Sequence, residues 1–191
     1  EADSRPHLWL SAKDAGGGKD SVSVEANEVI SENDSLVYAK GRVIIDRSDL
    51  VATADSAAMD NGKEIARLFY SPKIVGRGER SFTLVGNVIE AWSKLRQLER
   101  VKSGGAARAT SDEITLTADT IDLRLRDQRI NRAFAWGGKR ALAHANERDI
   151  AADSLDIMMP NQAIREMRAV RNARAESDPD SLKIVSKQKD W

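Results

Sequence analysis

Apolar and polar residues alternate along most of the chain from Ser21 onward, in short runs such as Ser21–Val24 and Ile114–Ala118. Gly, Asn and Asp separate these runs. A period of two is typical of β-strands with one buried face, and the separating residues are those that favour turns. The pattern therefore predicts an all-β protein built from short, closely spaced strands.

Two features of the sequence recur with one period. The first is a small residue followed by Asn or Asp at the end of an alternating run. Its copies are Ala26-Asn27, Ala54-Asp55, Gly86-Asn87, Ala118-Asp119 and Ala152-Asp153. Successive Asn or Asp residues are 28, 32, 32 and 34 positions apart. The second is a four-residue motif: an aliphatic residue, two mostly polar residues and another apolar residue. Its copies start at Ile65, Leu98, Ile130 and Ile164, which are 33, 32 and 34 residues apart. Self-similarity at this period predicts stacked units that share one apolar interior.

Glycine and proline mark the predicted bends of each unit, at Gly41, Pro72, Gly104-Gly105 and Gly137-Gly138. Within the second unit, Asp60-Asn61-Gly62 predicts a tight hairpin, because Asn-Gly tolerates positive φ.

The alternation also assigns faces to the strands. In the fourth unit it places Ala118 and its apolar neighbours inside, whereas Thr115, Thr117, Asp122, Arg124 and Arg126 face water. Since a shift of one residue inverts a strand, this assignment depends on the register. The predicted interior positions of the whole chain are Val24, Val37, Val43, Ile45, Leu68, Leu84, Val101, Ile114, Leu116, Ile121, Leu123, Leu125, Ile130, Ala133, Ala135, Leu155, Ile157, Ile164 and Met167.

Two regions flank the regular repeats. Residues 1–20 contain Pro6 and a Gly16-Gly17-Gly18 run, which predict a flexible lead-in to a repeat domain at residues 21–191. The segment Leu182–Trp191 reads as the start of a sixth unit. We expect it to form an edge, with Ile184 and Val185 available for strand pairing to a partner.

Composition narrows the classes of partner. The 191 residues include 30 Lys and Arg against 30 Asp and Glu and no Cys. A zero net charge provides no field for a nucleic-acid backbone, so nucleic acid is not expected as a partner. The absence of cysteine excludes thiolate metal sites and cysteine nucleophiles. The sequence has neither a long apolar span nor a signal peptide, so it reads as a processed or truncated product.

The sequence predicts no enzyme, cofactor or metal. The Asn and Asp of each repeat are interpreted as side chains that bond to backbone N–H groups at strand corners, because calcium ligands cluster in one loop. His7 and His144 have no third ligand at metal-binding spacing, and the acids Asp112-Glu113, Glu147 and Asp149 read as solvated turns. No serine lies in a glycine elbow.

Four aromatic residues leave two interpretations open. Phe134 and Trp136 lie on the face opposite Ala133 and Ala135, and Phe69 and Trp92 occur in earlier units. These rings either cover the sheet where a neighbouring segment packs or form an exposed contact patch.

Three segments form one recurring phrase: Val24-Glu25-Ala26-Asn27-Glu28-Val29, Val37–Ile45 and Leu50–Ala57. The phrase returns at Ala118–Leu123 and Ala152–Ile157. Together these segments resemble the OstA-like, LptA-type family of lipopolysaccharide transport proteins, which includes LptA, LptC and the N-terminal domain of LptD. Arg42 stands where the family usually has Asn after the glycine. The resemblance covers residues 21–190.

The resemblance implies a β-jellyroll with an open apolar slot that shields the acyl chains of lipopolysaccharide on the way to the outer membrane. It implies a periplasmic location and, since no membrane span is present, favours the soluble bridge of the family. Expected partners are lipopolysaccharide or a related lipid, other OstA-like jellyroll domains, and a second copy of the chain end to end.

Two other functions remain open on the residues alone. One is a structural or self-assembling β-repeat protein whose core is filled. The other is a β-helix enzyme that acts on polysaccharides and would need clustered acidic or basic residues on one sheet face. A lipid carrier needs room inside, which the small residues Ala118, Ala133, Ala135 and Ala169 would leave.

Overall fold

The computed structural model describes residues 7–10, 22–33, 35–78, 81–95, 97–145 and 147–177. Apart from one 3₁₀ turn at Pro160–Gln162, the regular structure of these residues is β-strand. The strands are β1 (His7–Leu10), β2 (Val22–Glu25), β3 (Glu28–Glu32), β4 (Leu36–Asp46), β5 (Leu50–Asp60), β6 (Ile65–Phe69), β7 (Lys73–Gly76), β8 (Phe82–Val85), β9 (Val88–Lys94), β10 (Gln97–Ser111), β11 (Thr115–Arg126), β12 (Arg129–Ala145), β13 (Arg148–Met158), β14 (Glu166–Val170) and β15 (Arg174–Ser177).

All strand pairs are antiparallel, and the strands form two layers that meet along a corner. In strand order the first layer is β3-β4-β5-β6-β9-β10-β11-β12-β13-β14. The second layer is β1-β2-β4-β5-β7-β8-β10-β11-β12-β13-β15. Six strands occur in both layers because each bends at the corner and continues. This is a β-jellyroll, as the resemblance to the OstA-like family implies.

The repeated Asn and Asp residues and the glycine bends lie side by side along this corner. The backbone N–H of Asn27 donates to the carbonyl of Gly41 at 2.8 Å, and that of Asn87 donates to Gly105 at 3.0 Å. Gly41 and Gly105 have φ of +76° and +74°, a region that favours glycine. A Cβ on Gly105 would also lie 2.6 Å from the side-chain nitrogen of Asn87. The corner therefore alternates between a strand with Asn or Asp and a strand that bends at other residues, with positive φ at Gly41 and Gly105.

The predicted bond from these side chains to a backbone N–H is found at Asp119, whose carboxylate accepts from the N–H of Lys139 at 3.0 Å. Asp153 instead accepts from the side chain of Asn172 at 3.0 Å. Asp55 contributes its backbone N–H, which donates to the carbonyl of Tyr70. The predicted position at strand corners is thus confirmed, whereas the predicted side-chain bond to a backbone N–H is confirmed at Asp119.

The corner changes the phase of the alternation. In β5 the buried positions are Leu50, Ala52 and Ala54 before Asp55, then Ala57 and Met59 after it. The same one-residue step occurs at Asp119 in β11. Both halves of a bent strand can therefore present their apolar residues to the space between the layers, where the core lies.

Three details differ from the sequence predictions. Strands that cross the corner are 11 to 17 residues long, so one unit is not made of short strands only. In the β5–β6 turn, positive φ occurs at Glu64 and not at Asn61 or Gly62, because a four-residue turn replaces the two-residue hairpin. Residues 7–10 of the predicted flexible lead-in form β1 and pair with β2. The remainder of that lead-in, and Ile184 and Val185, lie outside the described residues.

Candidate functional site

The space between the two layers is the main candidate for a functional site. The structure buries all of the predicted interior positions except Ile164 and Met167, which are partly buried and pack against the same core. Val24, Ile121 and Ile157 have no exposed surface. The interior is therefore continuous and aliphatic from β2 to β14. Whether these residues contact a lipid stays a prediction.

The interior opens at a mouth on the side that carries the hairpin turns, between β4, β5 and β7 of the second layer and β5, β6 and β9 of the first. A cavity of about 90 Å³ lies behind it. Its wall is mostly aliphatic, and its polar side chains are Arg47, Asn61, Glu64 and Ser93. The apolar wall residues are Val22, Ile45, Leu50, Ala52, Met59, Ile65, Ala66, Leu68, Ile74 and Ala91. An aliphatic wall with a few polar groups is typical of sites for amphiphilic ligands.

A polar bridge joins the two layers at this mouth. Arg47, in the turn between β4 and β5, donates from Nη1 to the hydroxyl of Ser93 in β9 at 3.0 Å. The same guanidinium binds both carboxylate oxygens of Asp49, at 2.9 and 3.0 Å. The Asp49 side chain is only 6% exposed, so the arginine supplies the charge that this buried carboxylate requires.

The C-terminal half of the interior is more tightly closed. Gln162, 1% exposed in the 3₁₀ turn, accepts from the N–H of Ile130 at 3.4 Å and donates to the carbonyl of Ser81 at 3.5 Å. The cavity lined by Ala133, Ile130 and Met159 is only about 10 Å³. Ala133 does not leave the predicted room there, because Met159 is fully buried in the same space.

Asp122 is buried on the outer face of the first layer, which corrects its predicted exposure to water. Its carboxylate accepts from Nε of Arg100 at 3.0 Å and from Nη2 of Arg124 at 3.5 Å, forms an ion pair with Nε of Arg124 at 3.1 Å, and belongs to a residue that is 3% exposed. The two arginines are directly opposite each other in the register of β10 and β11. The alternation does point Asp122 outward, but long arginine side chains cover it.

Two aromatic side chains of this face, Trp92 and Phe134, pack against arginines, which fits the packing interpretation. The guanidinium of Arg100 lies 4.6 Å from the ring centre of Trp92, and that of Arg132 lies 4.6 Å from the ring centre of Phe134. Both are cation–π contacts. Trp136 is 37% exposed and fits the alternative of a contact patch.

Arginines and acids are clustered on this outer face, the feature that a polysaccharide-acting enzyme would require. However, hydrogen bonding to Arg132, at 2.8 Å, lowers the pKa of Asp156 below its ordinary value. A general acid needs the opposite shift, a raised pKa.

His144 and Asp149 form an exposed pair at 2.7 Å. The described part of the chain contains no group of three or more His, Asp or Glu side chains placed to hold a metal.

Several of these residues were not identified from the sequence. Arg47 and Asp49 read as an ordinary polar turn, and Ser93 is 46 positions away from Arg47. Met159 and Gln162 belong to a proline turn. No periodic signal marks such residues, because their partners are set by the approach of the two layers.

Within the described ranges, no helix has the length and hydropathy to cross a bilayer.

The two bent layers and the apolar space between them define an LptA-like β-jellyroll. Among solved structures, the chain is similar to LptH of Pseudomonas aeruginosa, the LptA-homologous periplasmic component of its lipopolysaccharide transport device. The TM-score is 0.58 at 17% identity, and the match covers 68% of this chain and 95% of LptH. No protein-family profile matches the sequence. No curated protein matches it either.

Proposed function

We propose that the chain carries a lipid in the periplasm, with lipopolysaccharide as the class of cargo, and that residues 21–191 are the carrying unit. The observation behind this proposal is the continuous apolar interior between two layers, which opens at the mouth beside Arg47 and Ser93. The likeness of the fold to LptH supports the choice of cargo. The predicted interior residues would then contact acyl chains.

Burial of an acyl chain provides the driving force. Each methylene removed from water contributes about 0.8 kcal/mol, so a chain of about twelve carbons contributes roughly 10 kcal/mol before the cost of immobilisation. The cavity of about 90 Å³ holds only part of such a chain. Carriage therefore requires the two layers to move apart along the side that carries the turns.

The ends of both layers suit the predicted partners. Among the described residues, β3 and β14 end the first layer, and β1 and β15 end the second. Edge strands of this kind can pair with another sheet. We propose that other jellyroll domains of the transport bridge, or a second copy of the chain, add to these edges.

A second candidate function follows from the tight packing of the C-terminal half. A cavity of about 10 Å³ beside Met159 favours a filled core, as in a structural β-repeat protein. In that case the interior would stabilise the fold and bind no ligand.

Binding of purified lipopolysaccharide to two matched variants separates these functions. Ala66 lines the mouth, whereas Ala58 on the neighbouring strand lies on the outer face, and both are partly buried. We expect Ala66→Glu to weaken binding by at least about tenfold, since a carboxylate in an apolar wall is costly. Ala58→Glu should leave binding unchanged. Absence of binding by the unsubstituted chain, or equal effects of both variants, would favour the structural role.

A further inference from the structure

We propose that the hydrogen bond from Arg47 to Ser93 is a latch across the mouth, and that an acyl chain enters the interior there, tail first, when this bond breaks. The inference rests on the lipid carriage proposed above. It assigns the place of loading and the residues that control it.

The latch lies at the boundary between the polar rim and the apolar wall. Both Arg47 and Ser93 line the cavity, and their hydrogen bond joins the second layer to the first. Immediately behind them the wall consists of aliphatic residues, including Ile45, Leu50 and Ile65. A single-chain tail that passes the latch therefore meets only apolar surface. Its polar head remains beside Asn61 and Glu64 at the rim.

The structure also shows which side of the latch is fixed. The turn that carries Arg47 is held by the paired carboxylate of Asp49. Arg77 supports the same turn, since it donates to the carbonyl of Arg47 at 2.6 Å and binds the carboxylate of Asp46 at 2.8 Å. Breaking the contact at Ser93 leaves all of these bonds intact. The bond to Ser93 can thus break while these bonds of the second layer persist.

On the first layer, a hydrogen bond joins the end of β9 to the β5–β6 turn. Ser93 is near the end of β9, and its N–H donates to the carbonyl of Glu64 in the β5–β6 turn at 2.9 Å. Leu95, just after β9, is 84% exposed. The β5–β6 turn, the end of β9 and the start of β10 that pairs with it can therefore move together as one flap, away from the fixed turn.

Tying the layers together tests the latch directly. The chain has no native cysteine, so introduced thiols are the only ones present. The pair Ser48→Cys and Lys94→Cys places exposed thiols next to Arg47 and Ser93, one on each layer. The pair Lys63→Cys and Lys94→Cys places them within the first layer and serves as the control. Both are joined with the same short bismaleimide, and uptake of cis-parinaric acid is followed by its fluorescence.

We expect the cross-link between layers to abolish uptake, whereas the cross-link within one layer leaves uptake at the rate of the unmodified protein. Ser93→Ala should accelerate uptake by about fivefold to tenfold, as expected for the loss of one hydrogen bond, and Ser93→Thr should restore the original rate. Normal uptake by the protein cross-linked between layers, or an unchanged rate in Ser93→Ala, would overturn the latch while carriage stands. Failure of the unmodified protein to bind either parinaric acid or lipopolysaccharide would instead overturn the proposed function.

Discussion

Removal of the buried carboxylate of Asp122 is expected to destabilise the protein strongly, although it lies on the outer face. Asp122 is 3% exposed and accepts hydrogen bonds from Arg100 and Arg124. In Asp122→Ala these two cations face each other across the β10–β11 pair with no anion between them. Like charges at opposite positions of antiparallel strands repel each other.

The magnitude follows from the contacts. A hydrogen bond to a charged group contributes about 1.5 to 3 kcal/mol to stability, and we count one such contribution for each of the two arginines. The lower value applies here, because the arginine side chains are 31% and 48% exposed and water can solvate them after the change. We therefore expect a loss of about 3 kcal/mol in the free energy of unfolding, or roughly 6 to 12 °C in Tm. Asp122→Asn, which keeps an oxygen acceptor, should lose about half as much.

Equilibrium unfolding in urea, followed by far-UV circular dichroism, measures this loss. Asp149→Ala is the control, since Asp149 is 72% exposed and pairs only with His144 among the contacts described. The control should change stability by less than about 0.5 kcal/mol. If Asp122→Ala is no less stable than the control, Asp122 is not held as described and the covering arginines do not stabilise the sheet.

Three further predictions concern other parts of the fold. Hydrogen bonding to Arg132 lowers the pKa of Asp156 in the folded state below its ordinary value of 3.8. The pair therefore stabilises the folded state at pH values above 3.8, and this stabilisation is lost as the pH falls through the lower pKa of the folded state. In urea titrations, the difference in free energy of unfolding between the native chain and Asp156→Asn should therefore be constant above about pH 5 and shrink below about pH 4. A difference that grows on acidification would contradict this prediction. Gly105→Ala should cost about 2 kcal/mol in urea unfolding, since φ is +74° and the new Cβ would meet Asn87, and a neutral result would refute the corner geometry. Leu123→Ala, at a position 1% exposed, should cost about 2 to 5 kcal/mol by the same measurement, whereas a cost below about 1 kcal/mol would show that the interior is not packed there.

The inward face of the fold could be predicted because its signal is local. Alternation marks one face of each strand, and Asn or Asp marks each place where the alternation changes phase, as at Asp119 between Ala118 and Ile121. A phase change in the sequence thus reports a bend in the strand. This is why the interior positions could be assigned correctly on both sides of the corner.

The features that the sequence did not reveal depend on contacts between distant segments. Arg47 reaches Ser93 only because β4 and β9 approach each other from different layers. Asp122 alternates outward as predicted, but its burial comes from Arg100, 22 residues earlier in the chain. Long polar side chains of this kind carry no periodic pattern, so their partners could not be assigned before the fold was known.

Site-specific photo-cross-linking in Gram-negative cells tests the central claim, lipid carriage in the interior, most directly. A photoreactive amino acid is placed in turn at four positions of β5 and β6: Ala58, Met59, Arg67 and Leu68. Met59 and Leu68 line the cavity behind the mouth, whereas Ala58 and Arg67 lie on the opposite face. We expect lipopolysaccharide adducts at 59 and 68 and none at 58 and 67. Adducts at all four positions, or at none, would contradict carriage between the layers.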